Sequence, residues 1–221
     1  MSLQDRLDAF KADFEGNKAP PAAVAVMHKA TADLVASGQA DRALKVGGRA
    51  PEFVLPDAHG ATVRSADLLA CGPLVLTFYR GVWCPYCNMD LQAIEATAAD
   101  IRALGASLVA ISPQTAPNRR KSERENGLSF PILSDHANAV AQAFGLRFRL
   151  PDDLIALYKS FGNDLMVGNG EDSWTLPMPA RYVVGTDGII AYSEVNPDYT
   201  RRPDPSELLP VLRRLGAAAA A

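Results

Sequence analysis

Apolar positions recur along the chain with two different periods, and the alternation of those periods lays out the elements. Leu3, Leu7, Phe10 and Phe14 fall at helical spacing, with Gly16-Asn17 expected to end the run. Pro20-Pro21 opens a second helix with Val24, Met27, Thr31, Leu34 and Val35 on roughly one side. Gly47-Gly48 reads as a joint. Residues 51–55 and 62–64 predict a short hairpin across Asp57-Ala58-His59-Gly60, and Ser65 predicts the cap of a helical turn through Leu69. The apolar run 73–79 then breaks at Gly81. Cys87, Leu91, Ile94, Ala98 and Ile101 follow on one helical face, with Gly105 as the stop.

The second half repeats this grammar. Residues 107–111 predict a buried strand that completes a βαβ unit. Residues 116–126 predict a charged helix ended by Gly127, its Arg119-Arg120-Lys121 run balanced by Glu123 and Glu125 as a solvated face. Residues 130–133 predict a short strand, and Ser134-Asp135 predicts the cap of a helix over 137–144. From 147 to 177 the pattern loosens. A helix over 152–161 turns Leu154, Leu157, Tyr158 and Phe161 inward, and 162–174 reads as a loop in which Trp174 either lines a pocket or anchors the loop. Residues 181–184 and 189–193 flank Gly185-Thr186-Asp187-Gly188 as a hairpin. Residues 196–203 are polar and turn-rich, without a role legible in the sequence. Pro205 opens a last helix over 206–215, and the alanine tail is expected to fray.

Composition narrows the function classes. The chain has 221 residues, 48% of them hydrophobic, enough for one well-buried domain with an extension. A net charge of −3 gives no electrostatic footprint for nucleic acid or an anionic membrane, and no apolar run approaches bilayer length. Residues 1–11 are charged and lack the apolar core of a secretory signal. Three cysteines do not make a disulfide scaffold, so a reducing cytoplasm is the expected home.

Chemistry concentrates in Phe78-Tyr79-Arg80-Gly81-Val82-Trp83-Cys84-Pro85-Tyr86-Cys87. Pro85 suits the first helical position, which places Cys84 at the N-cap, where backbone N–H groups and the helix dipole favour a thiolate. Thiols so placed have pKa values of roughly 3.5 to 7.5, against about 8.5 when free. Cys84 is therefore the candidate nucleophile, able to meet solvent, and Cys87 on the buried stripe is the candidate resolving thiol. Arg80 is read either as a surface arginine paired with a carboxylate or as a fixed charge beside the Cys84 sulfur. Trp83 is expected to shape the site. Cys71 lacks a helix-opening context and reads as a small inert apolar residue, with resolution of Cys84 as its alternative. Structural zinc would need four ligands, and Cys71, His28, His59 and His136 show no paired spacing for it. The expected metal and cofactor content is none.

A strand followed by Trp-Cys-Pro-x-Cys opening a helix resembles the thioredoxin fold, and more closely the alkyl hydroperoxide reductase and thiol-specific antioxidant family, its peroxiredoxin-like branch. Gly48-Arg49-Ala50-Pro51-Glu52-Phe53 matches the family's leading segment, and Met178-Pro179-Ala180-Arg181-Tyr182-Val183-Val184 with Asp187-Gly188 matches its late hairpin. The resemblance implies an α/β thioredoxin-like fold, a central mixed sheet flanked by helices, over residues 47–221, with residues 1–46 as an N-terminal helical extension. That extension packs on its own domain or, in the sharper reading, contacts a partner or a second copy as a homodimer. Two departures stand out. Ordinary peroxiredoxins carry a threonine three residues before the reactive cysteine, where this chain has Gly81, and their second-signature arginine aligns with Pro179, a position that holds a cis-proline in thioredoxins.

The implied activity is reduction of hydroperoxides, with Cys84 attacking, Cys87 closing an intramolecular disulfide, and a thioredoxin-like protein or glutathione restoring the thiols. The alternatives are a thioredoxin- or glutaredoxin-like dithiol–disulfide oxidoreductase acting on protein or glutathione disulfides, and a non-enzymatic redox sensor. No nucleic-acid or membrane partner is expected.

Overall fold

The computed structural model describes residues 1–219. Helices α1 (Leu3–Asp13), α2 (Pro21–Ala36) and the short α3 (Gln39–Arg42) lead the chain. Ser2 and Asp5 form a capping box on α1, which ties down the start of the chain. The helix does not stop at Gly16-Asn17. It widens into a π turn over Phe14–Lys18 and ends at Ala19, φ −95° and ψ 139°, because a following proline disfavours helical backbone in the residue before it.

A hairpin of β1 (Val54–Pro56) and β2 (Thr62–Arg64) leads into α4 (Ser65–Cys71). Ser65 is the first residue of α4 rather than its cap, and its hydroxyl accepts the Phe53 N–H at 2.9 Å. Then come β3 (Leu74–Phe78), α5 (Pro85–Ala103), β4 (Ser107–Ser112), α6 (Ala116–Asn126) and β5 (Ile132–Ser134). A 3-10 turn over His136–Asn138 precedes α7 (Ala139–Ala143), which starts later than the sequence predicts because Ala137 and Asn138 take positive φ. Asp135 accepts the Val140 and Ala141 N–H groups at 2.8 Å each.

Within residues 147–177 lie β6 (Arg147–Arg149), α8 (Asp152–Ser160), α9 (Leu165–Asn169) and β7 (Thr175–Pro177), with β6 antiparallel to β7. Strands of three residues barely display alternation, and β6 and β7 also lack the short turn that marks β1 and β2 as a hairpin, since α8 and α9 stand between them. The chain closes with β8 (Ala180–Val184), β9 (Ile190–Val195), a 3-10 turn over Pro205–Glu207 and α10 (Leu208–Ala219). The alanine tail, predicted to fray, continues α10 through Ala219, and its last two residues lie outside the described stretch.

The main sheet has the order β5-β4-β3-β8-β9, parallel from β5 to β3 and antiparallel from β3 to β9. It is thus the central mixed sheet of a thioredoxin-like fold. Both faces are covered, so every residue of β3 is buried, Thr77 included. On one face Leu91, Ile94, Ala98 and Ile101 of α5 pack with Leu3 and Leu7 of α1 and Leu208 and Leu212 of α10. The opposite face gathers Leu74, Leu76, Phe78, Phe144 and Tyr182. A third cluster joins Met27 of α2 to Leu154 and Tyr158 of α8 and to Trp174, so Trp174 anchors its loop. Phe161, predicted to face inward, is 43% exposed. Arg119 is buried against the carbonyls of Gln114 and Asp57, so the face of α6 predicted to be solvated is partly an internal brace.

Candidate active site

The loop between β3 and α5 is held from several sides. Gln114 donates to the Tyr79 hydroxyl at 2.8 Å and accepts the Val82 N–H at 2.7 Å, and Asn88 donates to the Val82 carbonyl at 2.7 Å. Gly81 sits at φ +151°, and a Cβ there would come within 2.5 Å of the Trp83 indole nitrogen. A threonine therefore has no room at this position, which accounts for one departure from the peroxiredoxin pattern.

Cys84 is the N-cap of α5 and Pro85 follows inside the first turn, as the spacing predicts. The sulfur makes no capping hydrogen bond to the helix, however, and Cys84 is only 2% exposed. Cys87, one turn on, is 0% exposed, and both thiols are free. Burial, above all, pushes the Cys84 thiol well up, and its hydrogen bond toward Cys87 adds to this. For Cys87 burial also opposes ionisation, but the hydrogen bond from Cys84, the charges of Arg202 and Arg80, and the Arg80 backbone amide outweigh it. They bring Cys87 down to about 6. The first proton to leave the pair is therefore that of Cys87, with the Cys84 thiol donating to it. This corrects the expectation of a solvent-facing Cys84 thiolate: the helix terminus alone does not repay the desolvation of a buried sulfur.

Two arginines, Arg80 and Arg202, act on the pair, and a third, Arg181, shares an acidic partner with Arg202. Arg202 lies 3.6 Å from the Cys87 sulfur through Nη2 and 3.4 Å from Asp90 Oδ2 through Nε. Asp90 also binds Arg181 at 2.5 Å, and all three groups are buried. Arg80, 2% exposed, has no carboxylate partner among the described residues. Its guanidinium lies 4.2 Å from the Tyr199 ring centroid, 4.9 Å from Trp83 and 5.7 Å from Tyr158, and it donates to the Tyr158 hydroxyl. Arg80 Nε and Nη1 have no acceptor. Aromatic faces compensate such a charge by about 0.5–2 kcal/mol each, so the caged cation still lacks an anion.

Cys84, and not Cys87, opens onto a cavity of about 360 Å³ walled by Phe10, Phe14, Met27, Trp83, Tyr86, Tyr158 and Tyr199. A second cavity of about 240 Å³ lies across Arg80, Tyr158 and Tyr199, lined by Phe148, Leu150, Leu154 and Pro179 among others.

The model of the AhpC/TSA family matches residues 46–193. The chain belongs to that family. It is 28% identical over 181 residues to the chloroplastic peroxiredoxin Q of Triticum aestivum, covering 82% of this chain and 73% of that protein. To peroxiredoxin Bcp of Bacillus subtilis it is 27% identical over 123 residues, covering 56% and 73%. Among solved structures, peroxidoxin BcpB of Mycobacterium tuberculosis superposes with a TM-score of 0.61 at 24% identity, over 77% of this chain and 97% of that one, which shows the shared fold.

In this AhpC/TSA chain, Arg80, Trp83, Cys84, Pro85 and Cys87 come together as the sequence predicts. Arg80 is not the surface arginine of the first reading. Pro179 lines the smaller cavity instead of the Cys84 chamber, and among the described residues no peptide bond is cis. Cys71, read as a small inert residue, is exposed at the end of α4. No three His, Cys, Asp or Glu side chains among the described residues gather as a metal site, and no described helix is long and apolar enough to cross a membrane. Sequence reasoning missed Tyr158, Asp90, Arg181, Tyr199 and Arg202 as site groups. The one available signal was the polar, turn-rich stretch 196–203, which holds the last two.

Proposed function

We propose that the chain is a thiol-dependent peroxidase in which Cys84 attacks a hydroperoxide and Cys87 resolves the product. The observation that carries this reading is the division of labour between the sulfurs. Cys84 faces the chamber, whereas Cys87 lies sealed behind it under Arg202. A hydroperoxide entering the chamber meets Cys84, whose proton passes toward the Cys87 thiolate as its sulfur takes the terminal peroxide oxygen. The O–O bond breaks, and the alkoxide leaving group collects that proton, giving Cys84 sulfenic acid, an alcohol and the Cys87 thiolate again. The thiolate then displaces hydroxide, which takes up a proton as water, and the disulfide closes. Arg80, with its unused N–H groups, stabilises the developing oxyanion in the role left open by Gly81 and Pro179.

The aromatic walls suit a hydroperoxide with an apolar organic substituent, since hydrogen peroxide needs no chamber of this size. An external thiol, from a thioredoxin-like protein or glutathione, reduces the disulfide by attack on Cys84. Three cysteines, too few for a disulfide scaffold, suit a reducing compartment such as the cytoplasm. The experiment compares consumption of cumene hydroperoxide and hydrogen peroxide with reduction of insulin disulfides, in wild type, Cys84→Ser and Cys87→Ser. Fast peroxide consumption, with sulfenic acid trapped on Cys84 in Cys87→Ser, is the expected result. Brisk insulin reduction with sluggish peroxide turnover would replace the peroxidase with a dithiol–disulfide oxidoreductase.

A further inference from the structure

The family-matched segment ends at residue 193 and begins at 46. Two stretches outside it meet directly over the sulfur pair. One is α1; the other is the strap of residues 196–203, which follows β9. Gln4 of α1 takes both sides of the strap backbone, accepting the Arg202 N–H at 3.0 Å and donating to the Thr200 carbonyl at 3.3 Å. Gln4 also donates to Asp8 at 2.9 Å, and Asp8 pairs with Arg201 at 3.5 Å. The strap is tight in itself, with Asp198 accepting from the Thr200 N–H and hydroxyl at 3.0 and 2.7 Å. Below the clamp, Phe10 packs edge-on against Tyr86, and Tyr86 against Tyr199, at 5.2 and 5.5 Å between centroids.

From this strap come the two side chains that complete the site: Tyr199 against Arg80, and Arg202 on the Cys87 sulfur. We propose that Gln4 is a positioning residue for the resolving step, holding the strap so that the Arg202 guanidinium stays on Cys87. The inference rests on the reading of Cys87 as the resolving thiol. A guanidinium is a long, entropically costly side chain, and its field on a sulfur at 3.6 Å depends on where its backbone is pinned. Here the backbone N–H of Arg202 itself is pinned by Gln4. The charged and titratable groups facing Cys87 are Cys84 at the start of α5, Arg80 from the loop before it, Tyr79 just after β3, Tyr158 of α8 and Arg202 from the strap, with Asp90 behind Arg202. Release of the clamp loosens the strap's contribution and leaves the others in place. Less Cys87 thiolate then waits for the sulfenic acid, and a second hydroperoxide competes for it. That hydroperoxide transfers an oxygen to Cys84 sulfenic acid, giving sulfinic acid and an alcohol.

The test titrates thiolate absorbance of the reduced protein in a Cys71→Ser background, for wild type, Gln4→Ala, Asp8→Ala, Arg202→Met and Arg202→Lys, with folding checked by circular dichroism. Arg202→Met raises the midpoint most, Gln4→Ala raises it by about half to one unit, and Arg202→Lys restores part of the loss. Asp8→Ala, at the exposed edge of the clamp, shifts it less in the same direction and serves where Gln4→Ala does not fold. Cumene hydroperoxide in excess then yields several-fold more Cys84 sulfinic acid in Gln4→Ala, read by intact mass. An unmoved midpoint in folded Gln4→Ala, beside a raised one in Arg202→Met, overturns the clamp. The titration needs no peroxide turnover, so failure of the peroxidase reading shows separately, as sluggish peroxide consumption by wild type or consumption that survives Cys84→Ser.

Discussion

The two ends of β3 each lead to cysteine, and they have opposite fates. Before the strand, Cys71 closes α4 in the open, next to Gly72, whose backbone approaches Gly105 so closely that a Cβ would sit 2.0 Å from its carbonyl oxygen. After the strand, Cys84 and Cys87 are buried beneath α1, α8 and the strap, Cys84 facing the chamber and Cys87 behind it, with Arg80 and Arg202 brought to them. One end is built by backbone packing and the other by buried charge. The contrast teaches that a thiol's chemistry here follows from what covers it, not from its place beside a strand.

The sharpest break of that contrast is at the covered end. Cys84→Ser is expected to lower kcat/KM for cumene hydroperoxide by about 10³ or more, since it removes the attacking sulfur, whereas Cys71→Ser should leave the rate within about twofold. Both are read in one coupled assay, and equal losses would erase the distinction. Arg80→Met keeps the bulk inside the aromatic cage and removes the charge. It should cost about 10² in kcat/KM, as for loss of one oxyanion donor, with Tm reporting whether the cage survives.

The pH profile sharpens the comparison next. Below about 6 Cys87 is protonated and the pair is neutral, and above it the pair carries a thiolate. The first-turnover rate should thus rise with pH through that value and level off, and a profile rising only near pH 8 to 9 would remove the arginines' part. The smallest effect on activity belongs to the open end. Gly72→Ala should destabilise the fold by more than about 1 kcal/mol, because neither its φ of +156° nor the Gly105 carbonyl accommodates a side chain. Denaturant midpoints measure this, and the titration of the sulfur pair should not move.

Much of this was legible in sequence because it is local. Period and spacing gave the strand, the turn at Gly81, the helix with Cys84 at its cap, and the buried stripe from Cys87 to Ile101. The Gly185–Gly188 hairpin and the leading helices follow from the same rules. Where short strands pair across intervening helices with no turn signal between them, as β6 and β7 do, the reading fails.

Sequence by itself therefore determined the fold class, the pair of thiols and their order along one helix. Only the tertiary structure decided which thiol ionises first, which one meets the chamber, and what holds the charge. The physical reason is distance along the chain: Arg202 stands 115 positions from the sulfur it serves. Its effect depends on a separation in space that no local pattern encodes. Burial works likewise, because desolvation of Cys84 is set by α1, α8 and the strap closing over it together.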